Sequence, residues 1–428
     1  MKSCSLSCDK LREIIRNRWA ETERVQHCNE GSMLGLPHPF IVPCAKQEFQ
    51  EFYYWDSYFA CRGLKLQGFD TLLKNCCDNF IYEVEEFGFI PNGNRTYYLN
   101  RSQPPFFGAL LENMLDAADP AWLHRAFSAL EKECMFWDSS RKLDCGLLHY
   151  GHHGSEEDIQ SFYRDCCVGR LGMTADAASE EVRLHGEHTL AEAESGWDFN
   201  PRFERRCMDF AAIDLNSLMY LNEKLLENYY RSISSPRKSE EWRKRAESRK
   251  QLINRYCWNS ERGIFMDYDA LKQCHSPVFS AASLMPLWCG LADAGQSASS
   301  VHETEKRLEC DYGLATCEPH ESTFNYQWDY PNGWPPLQVI AIDALERYGY
   351  HVQARRIAQK YVDTVLRNYE KFGDIWEKYN VVDGSIEVSN EYAMPAMLGW
   401  SAGAFVVACD YLDLSEKAQL TRACSTPI

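Results

Sequence analysis

Near the middle of the chain, Glu194-Ser195-Gly196-Trp197-Asp198-Phe199 combines residue types that suit acid catalysis on a sugar. A carboxyl beside a large aromatic is pushed toward its neutral, proton-carrying form when burial strips its hydration. Gly196 allows a neighbour to approach the backbone with no side chain in the way. Such an acid needs a second carboxylate. Four stand in aromatic, loop-like surroundings: Asp56, Asp329, Glu377 and Glu391. Residue type does not choose among them, because each is also an ordinary helix cap or ion-pair partner.

The elements that would position these groups are helical. Apolar residues recur at helical spacing over 5–27, from Asp56 or Ser57 to Leu66, over 69–87 and over 120–137. Pro104-Pro105 suits the first turn of a helix through Leu115. Further helices are expected at 209–231, 238–257, 281–291, 335–349, 352–371 and 394–413. Residues 31–43 carry Pro37, Pro39 and Pro43 and read as loop. Residues 142–194 have weak periodicity and predict an irregular insertion near the site, while 1–30 predicts an N-terminal helix packed on the rest. Strand signals are few and no linker divides 1–428. The pattern of helix, polar motif, helix predicts a single all-α domain, a toroid of paired helices whose loops gather at one mouth.

Composition narrows the function classes. The 428 residues are 45% hydrophobic and 25% charged, as expected of a globular chain with a sizeable core. Aromatics reach 13%, with 12 Trp and 23 Tyr, which either fill an aromatic core or stack on sugar faces. A net charge of -17 excludes binding to a nucleic-acid backbone, and the basic run 237–249 is interleaved with Glu240, Glu241 and Glu247 as on a solvated helix face. The 19 cysteines are irregularly spaced, with doublets at Cys76-Cys77 and Cys166-Cys167, and predict reduced thiols in a cytoplasmic protein. No signal peptide or membrane helix is expected. His152-His153 lacks further ligands at zinc spacing, so neither a metal nor a cofactor is predicted.

Longer motifs then single out one family. Gln327-Trp328-Asp329-Tyr330-Pro331-Asn332-Gly333-Trp334-Pro335-Pro336-Leu337-Gln338 resembles the trehalase signature Q-W-D-x-P-x-G-W-x-P-x-Q at every fixed position. Phe52-Tyr53-Tyr54-Trp55-Asp56-Ser57-Tyr58 resembles the end of the other trehalase signature. Pro91-Asn92-Gly93-Asn94-Arg95, Arg101-Ser102-Gln103-Pro104-Pro105, Ser195-Gly196-Trp197-Asp198-Phe199 and Asp214-Leu215-Asn216 follow in the family's order. The resemblance is to glycoside hydrolase family 37. It implies an (α/α)6 barrel and an inverting α-glycosidase acting on a small glucoside, trehalose above all. Asp198 then matches the general acid and Glu377 the general base. Trp55, Asp56, Asn92, Arg101, Trp328, Trp334 and Glu391 match substrate-binding positions, with Glu391 on a loop closing over the site.

Some segments depart from that family. Glu48 stands where an arginine is usual, and no R-P-E segment precedes the acid, His152-His153 lying nearest. Asp383-Gly384-Ser385-Ile386-Glu387-Val388-Ser389 replaces a glycine-rich run, and Gly399-Trp400-Ser401-Ala402-Gly403 replaces G-W-T-N-G. Chain length and the Asp198 motif are also similar to the glycosylglycerate hydrolases of family 63. Glucosylglycerate or mannosylglycerate is therefore an alternative substrate, and a sugar-binding protein that has lost catalysis is a further alternative.

Overall fold

The computed structural model describes residues 6–46, 48–115, 119–396 and 399–424. Helix ends follow local chemistry. Helix α1 (Cys8–Arg18) starts where the Ser7 hydroxyl accepts from the Lys10 N–H. Helices α2 (Tyr54–Leu66) and α3 (Asp70–Phe87) follow, and α3 stops at Gly88, whose φ of 83° suits a residue without Cβ. After the short α4 (Phe107–Glu112), α5 (Pro120–Ser140) begins with proline behind an Asp119 cap. Capping boxes, Ser155 with Asp158 and Asp293 with Gln296, open α6 (Glu156–Phe162) and, further on, α11 (Ala294–Arg307). Between them lie α7 (Ser179–Glu194), α8 (Ile213–Ser232), α9 (Pro236–Tyr256) and α10 (Met285–Trp288). The last three are α12 (Pro335–Arg347), α13 (His351–Phe372) and α14 (Gly399–Cys424).

Packing closes a circuit. Helix α2 lies on α14, α14 on α12, α12 on α10, α10 on α8, α8 on α4, and α4 on α2. Outside it, α3 packs on α2 and α5, α9 on α8, and α13 on α12 and α14, while α1 rests on α13 and α14. The strands are short. Asn332–Gly333 pairs antiparallel with Tyr379–Asn380, Gly333 opposite Tyr379, which fixes the loop before α12 beside the segment carrying Glu377.

The α2–α14 contact has a specific requirement. A Cβ at Gly403 would lie 2.3 Å from the Phe59 carbonyl oxygen, and one at Gly63 would lie 2.6 Å from the Gly403 Cα. Backbone meets backbone, and no side chain can swing aside. Gly403→Ala is expected to cost about 1–3 kcal/mol, as overpacking in a close-packed core does. Urea unfolding measures this directly, and an unchanged midpoint would contradict the reading.

Most helices fall within a few residues of expectation, and the differences have physical causes. The first helix ends at Arg18 rather than 27, because Glu23–Arg24 pairs with Phe40–Ile41. The helix expected from Pro104 starts only at Phe107, since Gln103 and Pro104 each precede a proline and are held out of the α region. The stretch expected at 281–291 is a 3-10 turn (Ala281–Leu284) and the short α10, ended by Gly290 at φ 71°. Helix α11, made of small and polar residues, has no counterpart among the expected helices. Segment 142–194 is not irregular throughout, since α6, a π turn (Tyr163–Val168) and α7 occupy much of it. Residues from His188 to Glu194 are buried on every face, which erases the polar–apolar alternation that marks a surface helix. The C-terminal helix begins at Gly399, and residues 397–398 of its expected start lie outside the described residues.

Candidate active site

Three N-terminal helix ends converge on one cavity of about 590 Å³, well within the roughly 300–1,000 Å³ of small-molecule sites. Trp55 and Asp56 come from the first turn of α2, Trp334 caps α12, and Trp400 is the second residue of α14. Asp198 enters from the turn after α7, and Glu377 from the loop after α13. Asn92, Arg101 and Trp328 complete the set of expected residues that line the space. Asp329 does not line it; its carboxylate lies 3.5 Å from His320 Nε2.

A ladder of indoles runs beside the cavity. Trp197 stacks on Trp328 at 5.2 Å, and Trp328 on Trp334 at 3.7 Å and 1°. Trp400 stands edge-on to Trp328 and Trp334. Cations close both ends: the Arg202 guanidinium lies 4.4 Å over Trp197, and Lys378 Nζ lies 4.5 Å over Trp334. Lys378 Nζ also pairs with Glu377 Oε2 at 2.6 Å. The same stack therefore begins at the neighbour of Asp198 and ends at the partner of Glu377. Gln327 braces it, donating from Nε2 to the Asp198 carbonyl at 2.7 Å and accepting at Oε1 from Lys378 at 3.4 Å.

The sequence places Trp197 over Asp198; the structure turns it into the stack, so it does not line the cavity. Gly196 explains the arrangement. Its φ is +72°, and a Cβ there would lie 2.8 Å from the Trp55 ring. The Asp198 turn is pinned from behind by Asn200, whose N–H and Nδ2 donate to Glu192 Oε1 and whose Nδ2 also donates to the Trp197 carbonyl. Burial pushes the Asp198 carboxyl above its ordinary range, against the opposing pull of Arg170 and Arg101. Burial likewise raises Asp56 to about 8, with Glu377 and Asp198 adding to the effect. A carboxyl pushed toward its neutral form can donate to a hydroxyl as well as accept from one.

Glu377 is almost fully buried, and Tyr392 donates to its Oε1 at 2.7 Å while Lys378 holds Oε2. A carboxylate offers about four acceptor directions, so each oxygen keeps one for a water. Asn92 is fixed through its backbone, donating to the Arg101 carbonyl and accepting from the Tyr54 N–H. Among the described residues its side-chain amide makes no hydrogen bond to protein, so it faces the cavity unspent. The Arg101 guanidinium lies between the Tyr98 and Phe162 rings, 5.0 Å from each.

Glu391 sits differently from its expected role. Its Oε1 accepts from the N–H groups of Phe199 and Gln327 at 3.2 Å, and Oε2 lies 2.7 Å from Arg170. Its side chain is only 1% exposed, and Tyr392 and Ala393 line the cavity in its place. Sequence reasoning missed Arg170, Gln327, Tyr392 and Trp400 as site residues. The signature around Trp328 and the Gly399-Trp400 dipeptide carried a signal for Gln327 and Trp400; nothing around Arg170 marks it. His152 and His153 lie apart, with His153 packed on Phe89 and Phe136. Among the described residues no group of three or more His, Cys, Asp or Glu side chains is placed to hold a metal.

Two carboxyl groups facing one aromatic-walled, mostly helical pocket define a glycosidase-type site. The trehalase family model matches residues 2–413, and the chain belongs to the trehalase family of glycoside hydrolases. It is 34% identical over 421 residues to a periplasmic trehalase of Xanthomonas campestris, covering 92% of this chain and 72% of that protein. Among solved structures, neutral trehalase Nth1 from Saccharomyces cerevisiae is similar with a TM-score of 0.75 and 27% identity, over 94% of this chain and 80% of that one. A family 63 mannosylglycerate hydrolase from Thermus thermophilus shares the fold, with a TM-score of 0.62 at 16% identity over 94% of this chain and all of that one (100%).

Proposed function

We propose that this enzyme hydrolyses α,α-trehalose to two molecules of glucose with inversion, on one (α/α)6 toroid formed by the whole chain. The closed circuit of helices supports the toroid. The observation that carries the chemistry is the pair Asp198 and Glu377 facing one cavity, with the indole ladder running from the neighbour of Asp198 to the ion-pair partner of Glu377. Asp198, protonated, gives its proton to the glycosidic oxygen as that bond to C1 breaks. Glu377, ionised, takes a proton from the water that attacks C1 from the other face. The attacked ring leaves as β-glucose and the other as α-glucose. Asp56, Asn92 and Arg101 hold hydroxyls, and the Trp55, Trp328 and Trp334 rings form the walls against which the sugar packs. NMR of the first turnovers tests this: equal initial release of β- and α-glucose is expected. No glucose, or α-glucose alone, would overturn it.

A second reading, hydrolysis of glucosyl- or mannosylglycerate, is favoured by one observation. Arg170 and Arg101 both line the cavity, and either could meet the glycerate carboxylate. Faster turnover of these glycosides than of trehalose would establish it. The compartment we propose is the cytosol, on the cysteine usage, although relatives are named periplasmic; cell fractionation decides between the two.

A further inference from the structure

We propose that Arg170 is a positioning residue that couples seating of the loop carrying Glu391 and Tyr392 to the state of the acid, an inference resting on the assignment of Asp198 as that acid. Arg170 lies just beyond the π turn, in the segment where no family motif is found. Its Nη1 and Nη2 are each 3.4 Å from Asp198 Oδ2, and Nη2 also reaches the Asp198 carbonyl at 3.2 Å and Glu391 Oε2 at 2.7 Å. The guanidinium plane lies 4.7 Å over Phe199 and 5.6 Å from the Tyr392 ring. Only a planar fork can grip two carboxylates and stack at the same time.

The loop touches both halves of the chemistry. Glu391 meets the acid through Arg170, and Tyr392, the next residue, hydrogen-bonds Glu377 directly. Lifting the loop would thus release one oxygen of the base and take a countercharge from Arg170. Arg170 would then be left to Asp198 alone, tightening its hold on the ionised form. With the loop seated, Glu391 shares that positive charge, and Asp198 keeps its proton to higher pH. The groups facing Asp198 are Arg170 and Arg101 as cations, Asp56, Glu192 and Glu391 as carboxyls, and Cys166 and Tyr392 as neutral acids. Of the two cations, Arg170 alone contacts both Asp198 and the loop.

The test uses the full-length enzyme and Arg170→Met, with Arg170→Lys as the conservative partner. Loss of the cation removes an opposite charge next to Asp198, so its proton is held more tightly. The alkaline limb of kcat/KM for trehalose is expected to move up by about one pH unit or more in Arg170→Met. Arg170→Lys keeps a charge but not the fork. Its limb stays near the parent's while KM rises several-fold. Independently of turnover, hydrogen exchange at the Phe199 and Gln327 amides, both donated to Glu391, is expected to quicken in the free Arg170→Met protein. Should that variant not fold, quicker exchange in Arg170→Lys carries the test. An unmoved alkaline limb in an active Arg170→Met enzyme, or unchanged exchange at those amides in a folded variant, would overturn the proposal. If the parent enzyme leaves trehalose intact, the substrate reading falls, and the exchange measurement still decides the loop coupling.

Discussion

Asp198→Asn is expected to lower kcat on trehalose by about a thousandfold, within the roughly 10²–10⁴ that a general acid contributes. KM should change by only a few-fold, because asparagine keeps the shape and the cavity walls are untouched. The informative comparison is a substrate that leaves without a proton. α-Glucosyl fluoride expels fluoride unaided, so Asp198→Asn should retain most of its parental rate on that substrate. Glu377→Gln should fail on both substrates, since each still needs an activated water. In Glu377→Ala, azide can enter the vacated space and attack C1 without a base, and a β-glucosyl azide product would place Glu377 on the face opposite the leaving group. Equal losses on trehalose and the fluoride in Asp198→Asn would assign Asp198 to binding instead. The protonation argument fixes the sign of the pH response as well. Burial raises the Asp198 carboxyl, so activity on trehalose falls on the alkaline side as that proton is lost. On the fluoride, that alkaline fall should vanish.

How far these assignments were legible in the sequence depends on the reach of each interaction. Helix ends are local events, and Asp119-Pro120 and Gly88 mark them in the sequence as clearly as in the structure. The Asp293-to-Gln296 box was equally readable, yet α11 went unrecognised because its serines and alanine carry no strong apolar stripe. Helix α7 hid for the opposite reason, being buried on too many faces to show a period. The positions of Asp198 and Glu377 in one cavity came from motifs, not from periodicity, since only the closed circuit of helices brings them together. Arg170 was invisible on both counts. Its partners Asp198 and Glu391 are remote in sequence, and an arginine in a weakly patterned segment reads as solvent-facing. The physical role of Trp197 was also misassigned. An aromatic next to a carboxyl suggested cover, whereas the fold uses it as the first rung of a stack that Arg202 supports from below.

That support carries the largest expected stability effect. Arg202 is fully buried and forks into two carboxylates, meeting both Asp214 oxygens and both Asp267 oxygens at 2.9 Å. Asp267 further accepts from the Ile213 N–H and Asp214 from the Leu215 N–H, so the triad also fastens the start of α8. Arg202→Met keeps the length and the apolar contact with Trp197 but strands two acids with no counterion. Breaking a buried pair by removing one partner typically costs about 3–5 kcal/mol, a large fraction of the roughly 5–15 kcal/mol that holds a folded domain. Urea unfolding should show that loss at neutral pH. Adding Asp214→Asn and Asp267→Asn to Arg202→Met should recover much of the stability without restoring an ion pair. Activity separates the two roles of the arginine. If Arg202 serves only the fold, the triple variant regains parental kcat along with its stability. If the cation beneath Trp197 also sets the height of the indole ladder, kcat stays low in the stable triple variant, because the ladder runs from the neighbour of Asp198 to the ion-pair partner of Glu377.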